Sequence, residues 1–230
     1  MGAYTTYPLT LSVPPGSPPG QTIHVRFVLG PTILDLGCGP NRDPEATDGM
    51  DLHPYAGANI VHDATKLPWP IAAASFDRLV SHQLIEHLPV GGGAEGGADP
   101  FFAFFDEAWR VLRPGGTFAF DVPHHLGPEA YGDPTHRRFY SERSFAHLWD
   151  PARDPLYPRR PWTLVRVRTD YWYAFPRAVG ADGRARSGIV NASHLKRRAP
   201  ALDRVAQRLG LGVPHYIYVE LRKPAGEGGA

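Results

Sequence analysis

Two acids and two glycines stand close together in "ILDLGCGPNRDPEATDGMDLHP", residues 33–54: Asp35, Gly37, Gly39 and Asp51. A glycine turn after an apolar run lets the backbone approach a ligand closely. An acid at the end of the next apolar run can accept both hydroxyls of a ribose. Together they outline a nucleotide-binding crossover, and the spacing chooses among nucleotides. A dinucleotide site needs GxGxxG opening a helix, so that a pyrophosphate meets the helix N-terminus. Here "GCGPNR" ends on Arg42, and only nine residues (40–48), including Pro40 and Pro44, separate Gly39 from Gly49. That barely meets the roughly 10–12 residues of a crossover, so the first helix is a turn or so at most. An uncharged adenosyl group with an amino-acid tail suits this stub better than a pyrophosphate. Asp35 lies inside the apolar run. It either braces the turn, or faces the ammonium of such a tail, or both.

The elements that must position these groups alternate along the chain. Short apolar runs at 32–37, 49–52, 58–63, 76–82 and 117–123 read as strands. "PFFAFFDEAWRVL" (100–112) has helical spacing and is closed by "RPGG". Further on, 141–149 opens with a helix-start signal, 162–175 alternates like a long strand, 201–210 reads as a helix closed by Gly210, and 215–223 is a last strand. Seven strands alternating with crossovers give an α/β fold around a mostly parallel sheet covered on its faces. Residues 1–30 read as an arm or hairpin, and "GGGAEGGAD" (91–99) as a flexible loop that is either a linker or a lid.

Composition bounds the function. The chain has 230 residues, which suits one domain, and is 42% hydrophobic, enough for a core. No apolar run reaches the ~20 residues of a membrane span, and the N-terminus shows no secretion signal. The single cysteine, Cys38, rules out an internal disulfide and a CxxC site and fits a cytoplasmic location. Charge is uneven: residues 1–130 hold 6 Lys/Arg against 14 Asp/Glu, residues 131–230 hold 18 against 9. The basic half is either a solvated arginine-rich surface or the meeting place of an acceptor carrying phosphate or carboxylate.

"ILDLGCGPN", "GMDLHP", "IVHDATKLPWP", "SFDRLVSHQLIEHL" and "FFDEAWRVLRPGGTFAFDVPH" occur in this order over residues 31–124. Together they resemble a class I S-adenosylmethionine-dependent methyltransferase of the type 11 group. The resemblance implies a Rossmann-like seven-stranded sheet in the order 3-2-1-4-5-7-6, with strand 7 antiparallel and helices on both faces. It implies a single domain over 1–230, with acceptor-side insertions within 125–200. The implied cofactor is S-adenosyl-L-methionine. On this resemblance Asp35, Gly37, Cys38, Gly39 and Asn41 line the methionine end. Asp51 takes the ribose diol, with Leu52 and His53 beside it. Asp63 takes the adenine amino group, with Ala64 and Thr65 beside the ring. Ser81 and His82 lie under the methionyl and sulfonium part. One departure is Asn41, where the family usually has a third glycine. "GDPTHRRFYSERSF" (132–145) is similar to a segment of one bacterial subgroup.

Methyl transfer needs an acceptor aligned in a dry site, and a base where a neutral O or N must shed a proton. Ligands of such sheets bind at the carboxyl ends of the strands. His124 and His125 are the first candidates for that base and His136 the next. Glu86 and His87 brace the loop over the cofactor or meet the substrate, and Tyr131, Arg137 and Tyr140 flank the histidine loop as pocket residues. A mixed metal set of Asp121, His124, His125, Asp133 and His136 is the competing reading, and no metal is expected. The expected acceptor is a small or medium-sized metabolite, anionic if the basic half meets it, methylated on O or N. A nucleic-acid methyltransferase is the alternative that the basic half suggests. Against it, no DPPY, NPPY or PCQ motif is present. A non-catalytic binding protein and a nicotinamide oxidoreductase are the remaining readings. The oligomeric state is not legible.

Overall fold

The computed structural model describes residues 30–91, 99–150, 152, 160–179, 185–191, 201, 205 and 212–226. The expected arm (1–30), the centre of the glycine-rich loop (92–98) and the expected helix over 201–210 lie outside them, single residues apart. Five strands run parallel: β1 (Ile33–Leu36), β2 (Asp48–Asp51), β3 (Ile60–Val61), β4 (Phe76–His82) and β5 (Leu112–Pro123). β6 (Thr163–Val179), β7 (Ala185–Asn191) and β8 (Gly212–Arg222) follow. The sheet order is β3-β2-β1-β4-β5-β8-β6-β7. Without β7 this is the expected seven-stranded order, and the last strand is antiparallel to β5 as expected. β7 is an addition: an eighth, edge strand antiparallel to β6. Its sequence, ARSGIVN, holds a central glycine and few β-formers, so no strand pattern announced it.

Alternation along the strands divides the sheet into two chemically different faces. Leu34 and Leu36 of β1, Phe118 and Phe120 of β5, and Val219 and Leu221 of β8 form the core. Helix α1 (Pro100–Val111) closes it with Phe101, Phe104, Phe105 and Ala108. α1 begins where Asp99 accepts the Phe101 N–H at 2.8 Å, with Pro100 in the first turn. It ends where buried Lys223 donates to the carbonyls of Trp109 (2.9 Å) and Leu112 (2.8 Å), a cation on otherwise unsatisfied groups. The opposite face carries a small cluster of Ile33, Ala46 and Val80 and is otherwise polar. There Arg166 lies 3.8 Å from Glu220, and Arg168 covers the Tyr218 ring at 4.3 Å. Part of the basic C-terminal half is therefore an arginine-lined sheet face.

The connection after β1 is compressed, as its short spacing requires. No helix forms between β1 and β2. The connection is held by contact instead: a Cβ on Gly49 would stand 2.5 Å from the Gly57 carbonyl and 2.8 Å from Cys38 Sγ. A Cβ on Gly57 would stand 2.7 Å from the Gly39 carbonyl. β4 runs into a 3₁₀ turn, Ile85–His87. The expected helix over 141–149 forms as a second 3₁₀ segment, Glu142–Leu148, with a reciprocal cap between Ser141 and Ser144. α2 (Glu129–Gly132) is a single turn.

This close packing predicts that Gly49→Ala costs about 1–3 kcal/mol through overpacking, because the obstructing atom is backbone. Urea denaturation of wild type and variant measures it, and equal midpoints would remove the contact from the account.

Candidate cofactor and acceptor site

The carboxyl ends of β1, β2, β3, β4 and β5 bring the acids of the sequence into one row. Asp35 is buried in β1. Its Oδ2 accepts the Asp43 N–H at 2.8 Å, while Oδ1 is shut away with no hydrogen-bond partner. Burial pushes the Asp35 carboxyl above its usual value, against the Asp43 bond. Gly37 and Gly39 turn with φ of +70° and +56°, and nothing lies within 4 Å of where a Gly39 side chain would begin. The Gly39 N–H donates to Asp51 Oδ2 at 2.9 Å and the His53 N–H to Asp51 Oδ1 at 3.0 Å. Each Asp51 oxygen thus has one lone pair committed to backbone and one to offer. Leu52 beside it is 58% exposed. At the end of β3, Asp63 Oδ1 accepts both the N–H (2.9 Å) and hydroxyl (2.7 Å) of Thr65, leaving Oδ2 open. Ala64 is pinned by its carbonyl, which accepts the indole N–H of buried Trp69 at 3.0 Å.

In this set the side chains of Ser81 and Cys38 are buried and that of Asn41 is exposed. Ser81 is fully buried and donates to the Leu36 carbonyl at 3.1 Å, so its side chain faces the core. Cys38 is buried, its thiol pushed up to about 11 by burial and then by the charges of Asp35 and Asp51. Asn41 is exposed at the edge of the turn.

His82 leads to Asp43 and Gln83, which the sequence did not single out, and to Asp121, which it placed only in a metal set. β4 and β5 pair in register, His82 opposite Asp121. Asp121 Oδ2 lies 2.5 Å from His82 Nδ1 and Asp121 Oδ1 accepts from Gln83 Nε2 at 2.5 Å. On its other side, His82 Nε2 stands 3.6 Å from Asp43. Asp121 above all raises the imidazole to about 9, so the ring is a cation between two carboxylates. Gln83 follows with φ +53°, a left-handed conformation that a non-glycine residue adopts only when its surroundings impose it. The available signal was a lone acid in the apolar run "FAFDVP", at the same depth as His82.

The histidines after β5 separate into different roles. His124 is buried and fully committed: Nδ1 accepts the Leu126 N–H at 3.1 Å and Nε2 faces Glu142 at 3.6 Å. Burial also holds it below its usual value, and both its nitrogens face groups of the protein. His125 donates from Nδ1 to the Tyr140 carbonyl at 3.1 Å, which leaves its Nε2 with a lone pair. His136 donates from Nδ1 to the Ala130 carbonyl at 3.0 Å and turns Nε2 toward Glu86 and His87. The mixed metal set of the sequence reading does not assemble.

A cleft beside this region is lined by Val90, Phe101, Phe102, Arg137, Phe139 and His147. Tyr131 stacks on Phe139, ring centroids 4.8 Å apart, and both are exposed. Arg138 is a clasp: it donates to the carbonyls of Leu88 and Pro89 and, at 2.7 Å, to Asp99. Tyr140 edges the cleft, but it is buried and donates its hydroxyl to the Ile85 carbonyl at 3.2 Å. Tyr140 thus packs against the core and still lines the cleft.

A family model described as a methyltransferase domain matches residues 34–120. Residues 34–120 are thus a methyltransferase domain. S-adenosylmethionine is accordingly its cofactor, and the chain is a transferase. The methyltransferase is similar to a solved S-adenosylmethionine-dependent methyltransferase from Archaeoglobus fulgidus, at 15% identity and TM-score 0.51, over 84% of this chain and 86% of that one. It is also similar to 1,6-didemethyltoxoflavin-N1-methyltransferase from Burkholderia thailandensis, solved with 1,6-didemethyltoxoflavin and S-adenosylhomocysteine bound. That likeness has 16% identity and TM-score 0.46, over 84% of this chain and 71% of that one. At such identity the likeness is one of fold. No curated protein matches the chain. Among the described residues no helix is long and apolar enough to cross a membrane.

The His82 pair predicts a pH dependence. Its folded value, about 9, lies above the ordinary 6.5, so its stabilising contribution is complete below pH 6.5 and disappears as pH rises to about 9. The thermal midpoint of the methyltransferase should fall across that window, and fall less in His82→Asn. Glu86, raised to about 8, acts in the same direction but is present in both proteins. Parallel declines would exclude the pair from stability.

Proposed function

We propose that this methyltransferase moves a methyl group to an oxygen or nitrogen of a small or medium-sized metabolite. The observation that carries the cofactor half of this reading is the buried, unpartnered Asp35 Oδ1 next to an open glycine turn. A buried carboxylate oxygen without a donor is costly, and the ammonium of a methionine tail supplies that donor. Asp51 accepts from the ribose hydroxyls through its two outward lone pairs. Asp63 accepts from the adenine amino group, and exposed Leu52 gives the ring an apolar surface. The bound cofactor supplies an electrophilic sulfonium methyl group.

The acceptor half rests on the cleft. It is lined by Phe101, Phe102, Phe139 and Tyr140, by the paired Arg138 and Asp99, and by Arg137, whose guanidinium makes no ion pair among the described residues. Such a lining suits a flat or apolar small molecule with an anionic substituent. His125 is the proton acceptor of this reading: its Nδ1–H is fixed on the Tyr140 carbonyl, so Nε2 carries the lone pair. The cytoplasm is the proposed location, on the lone buried thiol of Cys38.

Isothermal titration with S-adenosylhomocysteine tests the cofactor half. Asp51→Ala should weaken binding by about tenfold or more, as expected for losing a charged pair of hydrogen bonds, and unchanged affinity would remove Asp51 from the site. Once an acceptor is found by screening metabolite extracts, His125→Ala should lower kcat by about 10²-fold with cofactor affinity intact. His124→Phe should lower stability rather than kcat. The opposite pattern would return the base to His124.

A further inference from the structure

Beyond the β4 end, three side chains converge that neither the cofactor cradle nor the proton transfer uses. Glu86, His87 and His136 each offer one ligand atom, and these atoms lie within 4.8 Å of one another. Glu86 is 1% exposed and neither of its carboxylate oxygens has a hydrogen-bond partner. His136 Nε2 lies 3.9 Å from its Oε1, too far for a shared proton to bond the two.

The two imidazoles are set as metal ligands are set. The Thr135 hydroxyl donates to Asp133 at 2.7 Å, so its oxygen accepts from His87 Nδ1 at 3.0 Å. The Ala130 carbonyl accepts from His136 Nδ1 at 3.0 Å. Both Nδ1 atoms therefore carry the proton, and both Nε2 atoms carry a lone pair. Fixing the tautomer through the far nitrogen is the usual outer-shell device of metal-bound histidine. The backbone is held as well: the Arg137 and Arg138 N–H groups donate to the Glu86 carbonyl at 2.9 and 3.0 Å, which ties the 136–138 segment to the turn bearing Glu86 and His87. Ligand atoms about 2.0–2.2 Å from one ion stand roughly 3–4 Å apart, a contraction that side-chain rotation supplies.

We propose that Glu86, His87 and His136 form a binding site for a divalent transition-metal cation. Two imidazoles and one carboxylate suit zinc, iron(II), cobalt(II) or manganese(II) rather than calcium or magnesium. Three protein ligands leave at least one position for water or for an oxygen of a bound molecule. The cation supplies the partner that Glu86 lacks. The site stands independently of the methyl-transfer reading.

The experiment uses the full chain, with any polyhistidine tag removed and stripped of metal with a chelator. Cobalt(II) is titrated in and followed by its visible absorption, and zinc affinity is read by competition with a chromophoric chelator. One equivalent should bind with a Kd of about micromolar or tighter. Glu86→Gln and His136→Ala should each weaken zinc by about 10-fold or more, and Thr135→Val by a smaller factor through His87. Titration with S-adenosylhomocysteine on the same samples shows that each variant is folded, and keeps the cofactor result separate from the metal result. A wild type that binds cofactor but no metal would overturn the proposal. So would metal binding that all three variants leave unchanged.

Discussion

Even parallel pairing at the carboxyl ends of β1, β4 and β5, beyond the shift in register near Phe76, is the constraint on which the site depends. Leu36 stands opposite Ser81, and His82 opposite Asp121. The strand ends are therefore level, and whatever leaves each strand starts from the same line. The alternation of side chains then decides the rest. Leu34, Leu36, Leu79 and Phe118 point to α1 and make the core, while Asp35, His82 and Asp121 point to the other face. A slip of one residue would exchange the two sets and bury charge beneath α1.

The polar end of the sheet is expensive, and the fold offsets it by arrangement rather than dilution. Asp43 links two parts of the network, its N–H to Asp35 and its carboxylate toward His82. The His82 cation in turn sits against Asp121, which Gln83 also holds. Opposite charges at short range in a partly dry site strengthen each other. Two acids stay outside this balance, Asp35 Oδ1 and Glu86, and both are pushed toward their neutral forms by burial. Groups left in that condition concentrate at functional sites.

The sequence made the sheet and its first half legible because those features are local. The "GCG" turn, the acid two residues before it and the two acids at the next strand ends depend on near neighbours, and the short spacing left room for no more than a turn of first helix, where the structure forms none. What was not legible depends on contacts far apart in sequence. Asp121 gains its meaning only from pairing with His82, and Gly49 only from the Gly57 carbonyl. The histidines show this limit most clearly. His124 and His125 are adjacent in sequence, yet one is enclosed by Leu126 and Glu142 while the other keeps a nitrogen unengaged. Tyr140 reads as a pocket wall because it flanks the histidine loop, and the structure makes it a buried core residue that also lines the cleft. β7 carried too weak a pattern to be read at all.

Asp99 belongs to two structures at once. One oxygen, Oδ1, accepts the Phe101 N–H that starts α1 and also the Arg138 guanidinium that closes the 133–140 segment over the Pro89 carbonyl. The helix start and the cleft wall therefore share a single anchor. Displacing Arg138 deprives the helix cap of its counter-charge, and fraying the first turn of α1 loosens the clasp. The two segments are thermodynamically linked, so a molecule that settles in the cleft also firms the helix beneath it.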